Sequence, residues 1–463
     1  MALNLHFKPI EIQHRDIFQP YLEKNSQTCD RNFVNFFCWQ HYYHTSWTEI
    51  DGWLVVRAYI NGDRRAAYIV FSQAETPDYS AIIPYLEADA ALLGLPLTLM
   101  GLTESECDQL RQQFPDSFLF DNNRDFADYV YRTEDLASLK GRKYAQKRNH
   151  VNKFKSLYSY RYEIIDNENL ADCKKLEEAW LEKHADDESA QAEHLTIEKA
   201  FRYYQELKLF GGVLYVENEP VAFTYGSALN EQMFCTHVEK GDIRYEGVYQ
   251  MINQLFAQHL PEHFVWVNRE EDMGLAGLRK SKMSYEPSRL QYKTTALKLT
   301  PQMHDIIHIW RQCFGETDVS VFTFLSRYYF EHCAFAEMVE GHVVSMVFMI
   351  PCQTSLGLGA YLYGVATLPQ YQHQGISTRL VHKALAECRD KGADFSFLIP
   401  GDPELADFYD RFGYIGTQTR AEFLCDMDLG TGEKEKDRIL VLPLSKSFKK
   451  EGLSDVLECM PLL

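Results

Sequence analysis

Between Tyr363 and Val381 the sequence YGVATLPQYQHQGISTRLV sets a glutamine, a glycine and a serine at a spacing suited to holding phosphate. A β-rich run ends at Pro369, a short polar loop follows, and Gly375 opens a segment with Ile376, Leu380, Val381, Ala384, Leu385 and Cys388 at helical intervals. The first N–H groups of such a helix lack partners, and its dipole adds partial positive charge. The backbone through Gln372, His373, Gln374, Gly375, Ile376 and Ser377 can therefore receive a pyrophosphate. Gly375 lets a ligand approach the chain closely.

A second charged group lies upstream. KGRKYAQKRNHVNKFK, Lys140 to Lys155, carries seven Lys or Arg and no acid in a chain of net charge -19, so it suits a local anion site rather than bulk attraction to a polyanion. Wound as a helix, it places Tyr144, Val151, Phe154 and Tyr158 in one apolar stripe. Lys147, Arg148 and Lys155 fall near or beside that stripe, Lys143 and Lys153 fall away from it, and Asn152 belongs to the same stretch. Downstream, VNREEDMGLAGLRKSKMSYEP packs Asn268, Arg269, Glu270, Glu271, Asp272, Arg279 and Lys282 around Gly274 and Gly277. Charges of both signs just past a strand end suit a ligand crevice. They equally suit a loop of surface ion pairs. Lys147 and Arg148 then face either a phosphate or the acids Glu270, Glu271 and Asp272.

The elements that must position these residues follow one rhythm, strand, strand, strand, helix, strand, which occurs twice. FAEMVE, HVVSMVFMI and AYLYGVAT precede the helix from Ile376, and FSFLI closes that unit; GVLYVE, VAFTYGSAL and MFCTHV precede a helix marked by Val248, Met251, Ile252, Leu255, Phe256 and Leu260, and FVWVN closes the other. WLVVRAYI and AAYIVF, followed by a helix at Ala81 to Leu93, form a degenerate third copy. HADDESAQAEH from His184 reads as a surface loop, as does GTGEKEKDR from Gly430. The 463 residues exceed one ordinary core, and a 46% hydrophobic composition supplies several. Eleven cysteines without a CxxC pair argue against zinc and against a disulfide framework, so no metal is expected. Val343 to Thr378 lacks charge, but its apolar pieces are strand-sized, so no transmembrane segment is expected. The start MALNLHFKPIEIQHRD lacks the sections of a secretory signal, and a cytoplasmic protein is expected.

Gln372, Gly375 and Ser377 resemble the acyl-CoA loop of the GNAT acetyltransferase superfamily, whose pattern is Arg or Gln, two residues, Gly, one residue, then Gly or Ala. ELADFYDRFGYIG, some thirty residues on, resembles its second signature. That resemblance implies that Tyr409 is the catalytic acid protonating the coenzyme A thiolate, that the backbone of Val365, Ala366 and Thr367 pairs with the pantetheine arm, and that acetyl-CoA or another acyl-CoA is the cofactor. In the middle unit Arg244 and Gly247 match the loop's first positions, but Tyr249 stands where a small residue is wanted. GRKYAQKRNHVNKF and NREEDMGLAGLRKSKMSY resemble the catalytic domain of phosphatidylglycerol lysyltransferases, a tandem of GNAT-like folds related to Fem-type aminoacyltransferases. The implied fold class is α/β (α+β), with three GNAT-like folds: a degenerate one at 1–139, a second at 140–298 and a complete acyl-CoA-binding one at 299–463. Lys143, Lys147, Arg148, Asn152, Arg269, Glu270, Asp272, Arg279 and Lys282 are then the candidates for binding a substrate or anion. The implied activity is transfer of an acetyl or acyl group to a small-molecule or peptide amine. Transfer of an aminoacyl group from charged tRNA, with a lipid headgroup as one acceptor, and a non-catalytic anion-binding module stay open.

Overall fold

The computed structural model describes residues 4–60, 65–315, 318–329, 333–424, 429, 438–449 and 453–462. The chain forms two compact units, residues 1–93 with 97–296, and residues 94–96 with 297–463. Its described residues form three mixed sheets with helices packed on them, an α/β architecture of GNAT-like units. The stretch from Gly430 read as a loop lies outside the described residues up to Arg438.

In the first unit, one sheet is built on the hairpin Trp53–Ile60 and Arg65–Ser72, whose register runs from Trp53↔Ser72 to Ile60↔Arg65. The second sheet has as consecutive neighbours Phe210–Val216, Glu219–Ala228, Met233–Gly241, Trp266–Asn268 and Asp128–Arg132. A continuous apolar core joins the two sheets, from Phe18, Phe36 and Trp47 on one side to Phe223 and Tyr225 on the other. The opposite face of the second sheet buries Tyr129, Tyr131, Phe234 and Val267 against helices Ala145–Leu157 and Val248–His259. The basic stretch is thus a helix whose apolar stripe, Tyr144, Val151 and Phe154, is buried in that core.

One expectation needs correction. The acidic stretch from His184 is not a loop throughout, because Glu188–Arg202 is helical. Asp187 caps it by accepting from Ser189 N at 2.9 Å and Ala190 N at 3.4 Å, and Ala190, Ala192, Thr196 and Ile197 are buried on its inner face. The apolar spacing resumes within a stretch whose acids face water, so composition concealed the helix.

In the second unit, His342–Thr354 and Gly357–Thr367 are long antiparallel strands, and Phe395–Leu398 runs parallel to the latter from Gly359↔Phe395 to Tyr361↔Phe397. Helix Ile376–Asp390 crosses back over the sheet, burying the six apolar positions that announce it. Among the described residues no helix is long and apolar enough to cross a membrane. No disulfide joins the described cysteines.

Candidate functional sites

The parallel pair in the second unit separates after Tyr361 and Phe397, because one strand ends at Leu398 while the other continues to Thr367. Along that continuation Phe348 faces Tyr363 and Met346 faces Ala366, so Gly364 and Val365 together oppose Val347 alone. This bulge twists the strand and frees backbone groups at Val365 from the regular ladder. Gly364 takes φ +59, and a Cβ there would press on the Phe348 ring at 3.0 Å.

The loop after this strand is braced by its own side chains. Gln372 Nε2 donates to Thr367 O at 3.0 Å, and the Ser377 and Thr367 hydroxyls meet at 2.6 Å. Gln374 Nε2 reaches Gln370 O at 3.3 Å, and His373 holds a left-handed φ of +60. Gly375, at φ +69, is the N-cap of Ile376–Asp390, and no side chain caps that helix start. The nearest atom to a Cβ on Gly375 would be Arg379 Nη1 at 3.7 Å, so the helix start is open. Ser377, which departs from the commonest small residue, thus ties the helix to the bulged strand. Tyr409 lies on the short helix Ala406–Asp410 with its ring 6.0 Å from Tyr414, whose hydroxyl is 2.6 Å from Ser396 Oγ on the closing strand. Burial pushes the Tyr409 phenol up to about 12, so it holds its proton at neutral pH.

The first unit repeats this arrangement with one decisive change. Met233–Gly241 pairs in parallel with Trp266–Asn268 as far as Cys235↔Asn268. Just beyond, Tyr225 faces Val238 and Gly226 faces Thr236, which leaves His237 as the extra residue of a bulge. Gly226 is obligatory, since a Cβ would overlap the Cys235 carbonyl oxygen. Helix Val248–His259 again starts after a left-handed glycine, Gly247 at φ +85. Here, however, a Cβ on Gly247 would lie 2.5 Å from His150 O and 3.4 Å from Phe154 Cβ. The basic helix covers the position that Gly375 leaves open. Arg244, at the loop's first position, is spent on Asp242, with Nε 3.0 Å from Oδ1.

Among the charged candidates, the structure brings Lys147 and Arg269 together. Both stack on Tyr285, with Lys147 Nζ 3.9 Å and the Arg269 guanidinium carbon 5.1 Å from the ring centre. Arg269 bonds Glu239 at 3.1 Å through Nη2, and its Nη1 is buried with no hydrogen-bond partner among the described residues. Lys147 is 8% exposed and, among the described residues, pairs with no carboxylate at ion-pair distance, resting instead on the Tyr285 ring. Burial, then the neighbouring Arg269, pull its ammonium down to about 8. Two desolvated cations share one carboxylate, which leaves a positive excess that an anion would balance.

The other candidates do different work. The Arg148 guanidinium donates to the carbonyls of Leu139 and Gly141, tying the helix to its own lead-in. Lys143 and Lys153 make exposed pairs with Asp135 at 3.8 Å and Glu246 at 2.7 Å, and Asn152 is exposed. Asp272 is fully buried among Arg124, Tyr129 and Arg279, with Arg279 also reaching Asp125. Lys282 Nζ donates to the carbonyls of Arg269 and Glu271. These contacts clamp the loop after Asn268. Glu270 turns to the opposite face of the sheet and meets His237.

Sequence reasoning missed the polar network on that opposite face. Lys293 Nζ sits 3.0 Å from a carboxylate oxygen of each of Asp30, Asp128 and Glu271, and 3.4 Å from Cys29 Sγ. Burial pushes the Asp128 carboxyl up to about 6, against the pull of Lys293. Burial acts likewise on Glu271, but Lys293 and the Cys29 thiol hold it down to about 2. Beside it runs a second chain of contacts, Asn32 to Ser227 to His237 to Glu270 to Asn35. The members come from distant segments, and only CTHVE in the bulged strand offered a local signal.

Two bulged, splayed strand pairs, each followed by a glycine-capped helix, define a protein built from repeated GNAT-like units. The chain belongs to the family described as phosphatidylglycerol lysyltransferase, C-terminal, which matches residues 23–297; the acetyltransferase (GNAT) domain family matches residues 298–415. A conserved protein of unknown function from Bacteroides thetaiotaomicron VPI-5482, known from its crystal structure, is 34% identical with a TM-score of 0.60, over 63% of this chain and 99% of that one. The L-PGS structure from Bacillus licheniformis aligns over 61% of this chain and 91% of that one, at 13% identity and a TM-score of 0.43, and adds nothing to the family match. An uncharacterized protein of Mycoplasmoides gallisepticum is 27% identical over 193 residues, 40% of this chain and 60% of that protein.

Proposed function

We propose that the chain is an acyltransferase whose C-terminal unit transfers an acetyl or other acyl group from acyl-CoA to an amine. The observation that carries this reading is the open helix start at Gly375 beside a bulged strand whose edge beyond Tyr361 is unpaired among the described residues. The pyrophosphate would lie on the N–H groups from Gln374 to Ser377, and the pantetheine arm would add along Val365 to Thr367. The Val365 N–H, released by the bulge, would polarise the thioester carbonyl, and Tyr409 would give its proton to the departing thiolate.

The test is release of coenzyme A thiol from acetyl-CoA across a panel of small and peptide amines. Turnover is expected with at least one amine, falling by roughly tenfold or more in Gly375→Glu, which sets a carboxylate where the pyrophosphate binds. Absence of acyl-CoA binding by the wild type would remove the reading.

Family membership and the Lys147–Arg269 excess favour a second reading for residues 1–298, which keeps the division at 139 and 298. We read this half as aminoacyl transfer to or from an anionic partner, a lipid headgroup or charged tRNA. The covered Gly247 argues for a donor other than coenzyme A there. RNA or phospholipid retained on purification, and lost in Lys147→Glu, would support it; retention unchanged by that substitution would count against it.

A further inference from the structure

The bulge at His237 aims its ring between a serine and a carboxylate, with Nε2 2.8 Å from Ser227 Oγ and Nδ1 2.9 Å from Glu270 Oε1. Cys235 Sγ lies 3.7 Å from the same Glu270 oxygen. One sulfur, one nitrogen and one oxygen thus lie within 4.8 Å of one another. We propose that Cys235, His237 and Glu270 form a site for a divalent transition metal of the zinc type.

Thiolate, imidazole and carboxylate are the donors such an ion takes, at about 2.0–2.3 Å each, so tetrahedral ligands stand roughly 3.3–3.8 Å apart. The three atoms need only small shifts to reach that spacing. The surroundings are those of a ligand set. Ser227 holds the remaining ring nitrogen of His237 and is itself held by Asn32 Nδ2 at 3.0 Å, while Asn35 Nδ2 donates to Glu270 at 3.1 Å. Partners of this kind fix a ligating imidazole and carboxylate in orientation. No lysine or arginine pairs with Glu270 among the described residues. The neighbouring group of Cys29, Asp30 and Glu271 has comparable spacing but already contains a cation, the Lys293 ammonium.

The same distances would suit a serine nucleophile with a histidine base. Ser227 is 4% exposed, however, and its oxygen already receives the Asn32 amide, so an acyl group has no approach to it. A metal ion needs no such approach. Three protein ligands leave one tetrahedral position, which in so buried a place suits a small ligand such as water. The absence of a CxxC pair does not bear on a set drawn from alternate residues of one strand and a distant loop.

The test uses the full chain, with metal content measured after growth in zinc and with cobalt(II) added to the metal-free protein. About one equivalent of metal and a thiolate-to-cobalt absorption band are expected. Cys235→Ser should abolish the band, Glu270→Gln should cut retained metal by roughly tenfold or more, and Cys29→Ser should leave both unchanged. Less than about a tenth of an equivalent in the wild type, or a band that survives Cys235→Ser, would overturn the proposal. Covalent capture of Ser227 by a fluorophosphonate would overturn it too, by showing a nucleophile. If a variant loses its circular dichroism, the wild-type stoichiometry and band decide alone.

Discussion

Lys147 rests its ammonium on the Tyr285 ring, and its burial beside Arg269, partly offset by Glu239, sets the pH at which it can hold an anion. Its folded pKa, about 8, lies below the ordinary lysine value. The charged form is therefore lost as pH rises through 8, and an anion bound there weakens over the same range. Phosphorus NMR with inorganic phosphate should show affinity falling above pH 8 in the wild type, and a weak, pH-independent response in Lys147→Met. Equal affinity on either side of that pH would contradict the assignment. Tyr409 invites a complementary test. Tyr409→Phe should lower kcat by roughly 10²-fold with little change in KM, since the proton is needed only as the thiolate leaves. An unchanged kcat would pass the acid role to another group. Lys147 was legible because helical periodicity put it beside the apolar stripe. Arg148 looked equivalent, but its partners are two backbone carbonyls that only the preceding turn could reveal. Lys293 and Cys29, 264 residues apart, meet through tertiary structure alone.

At the scale of elements, the two bulges define the sites, and both depend on glycine. Gly226→Ala should destabilise the first unit by about 2 kcal/mol or more, because the new methyl group meets backbone rather than a movable side chain. Gly277→Ala, whose Cβ would meet nothing within 4 Å, should change stability by less than about 1 kcal/mol. Denaturant unfolding of both variants checks the contrast; similar losses would mean that the bulge is not held by close packing. The strand and helix order was readable from periodicity, and so was the glycine start of each crossover helix. The bulges were not, because an extra residue in a strand leaves the alternation on either side intact. The covering of Gly247 by His150 was also invisible, since Tyr249 alone carried the signal of a closed loop.

For the whole molecule, composition and rhythm disclosed repeated α/β units, and the basic stretch in an acidic chain pointed to one local anion site. What separates the units chemically is access to the crossover helix. Gly247 is covered by backbone, whereas Gly375 is open. Acyl-CoA should therefore bind at a single position per chain. Titration calorimetry of the full chain with acetyl-CoA tests this most directly. One site per chain is expected, lost in Gly375→Glu and retained in Lys147→Glu; no heat of binding, or binding indifferent to Gly375→Glu, would contradict the account.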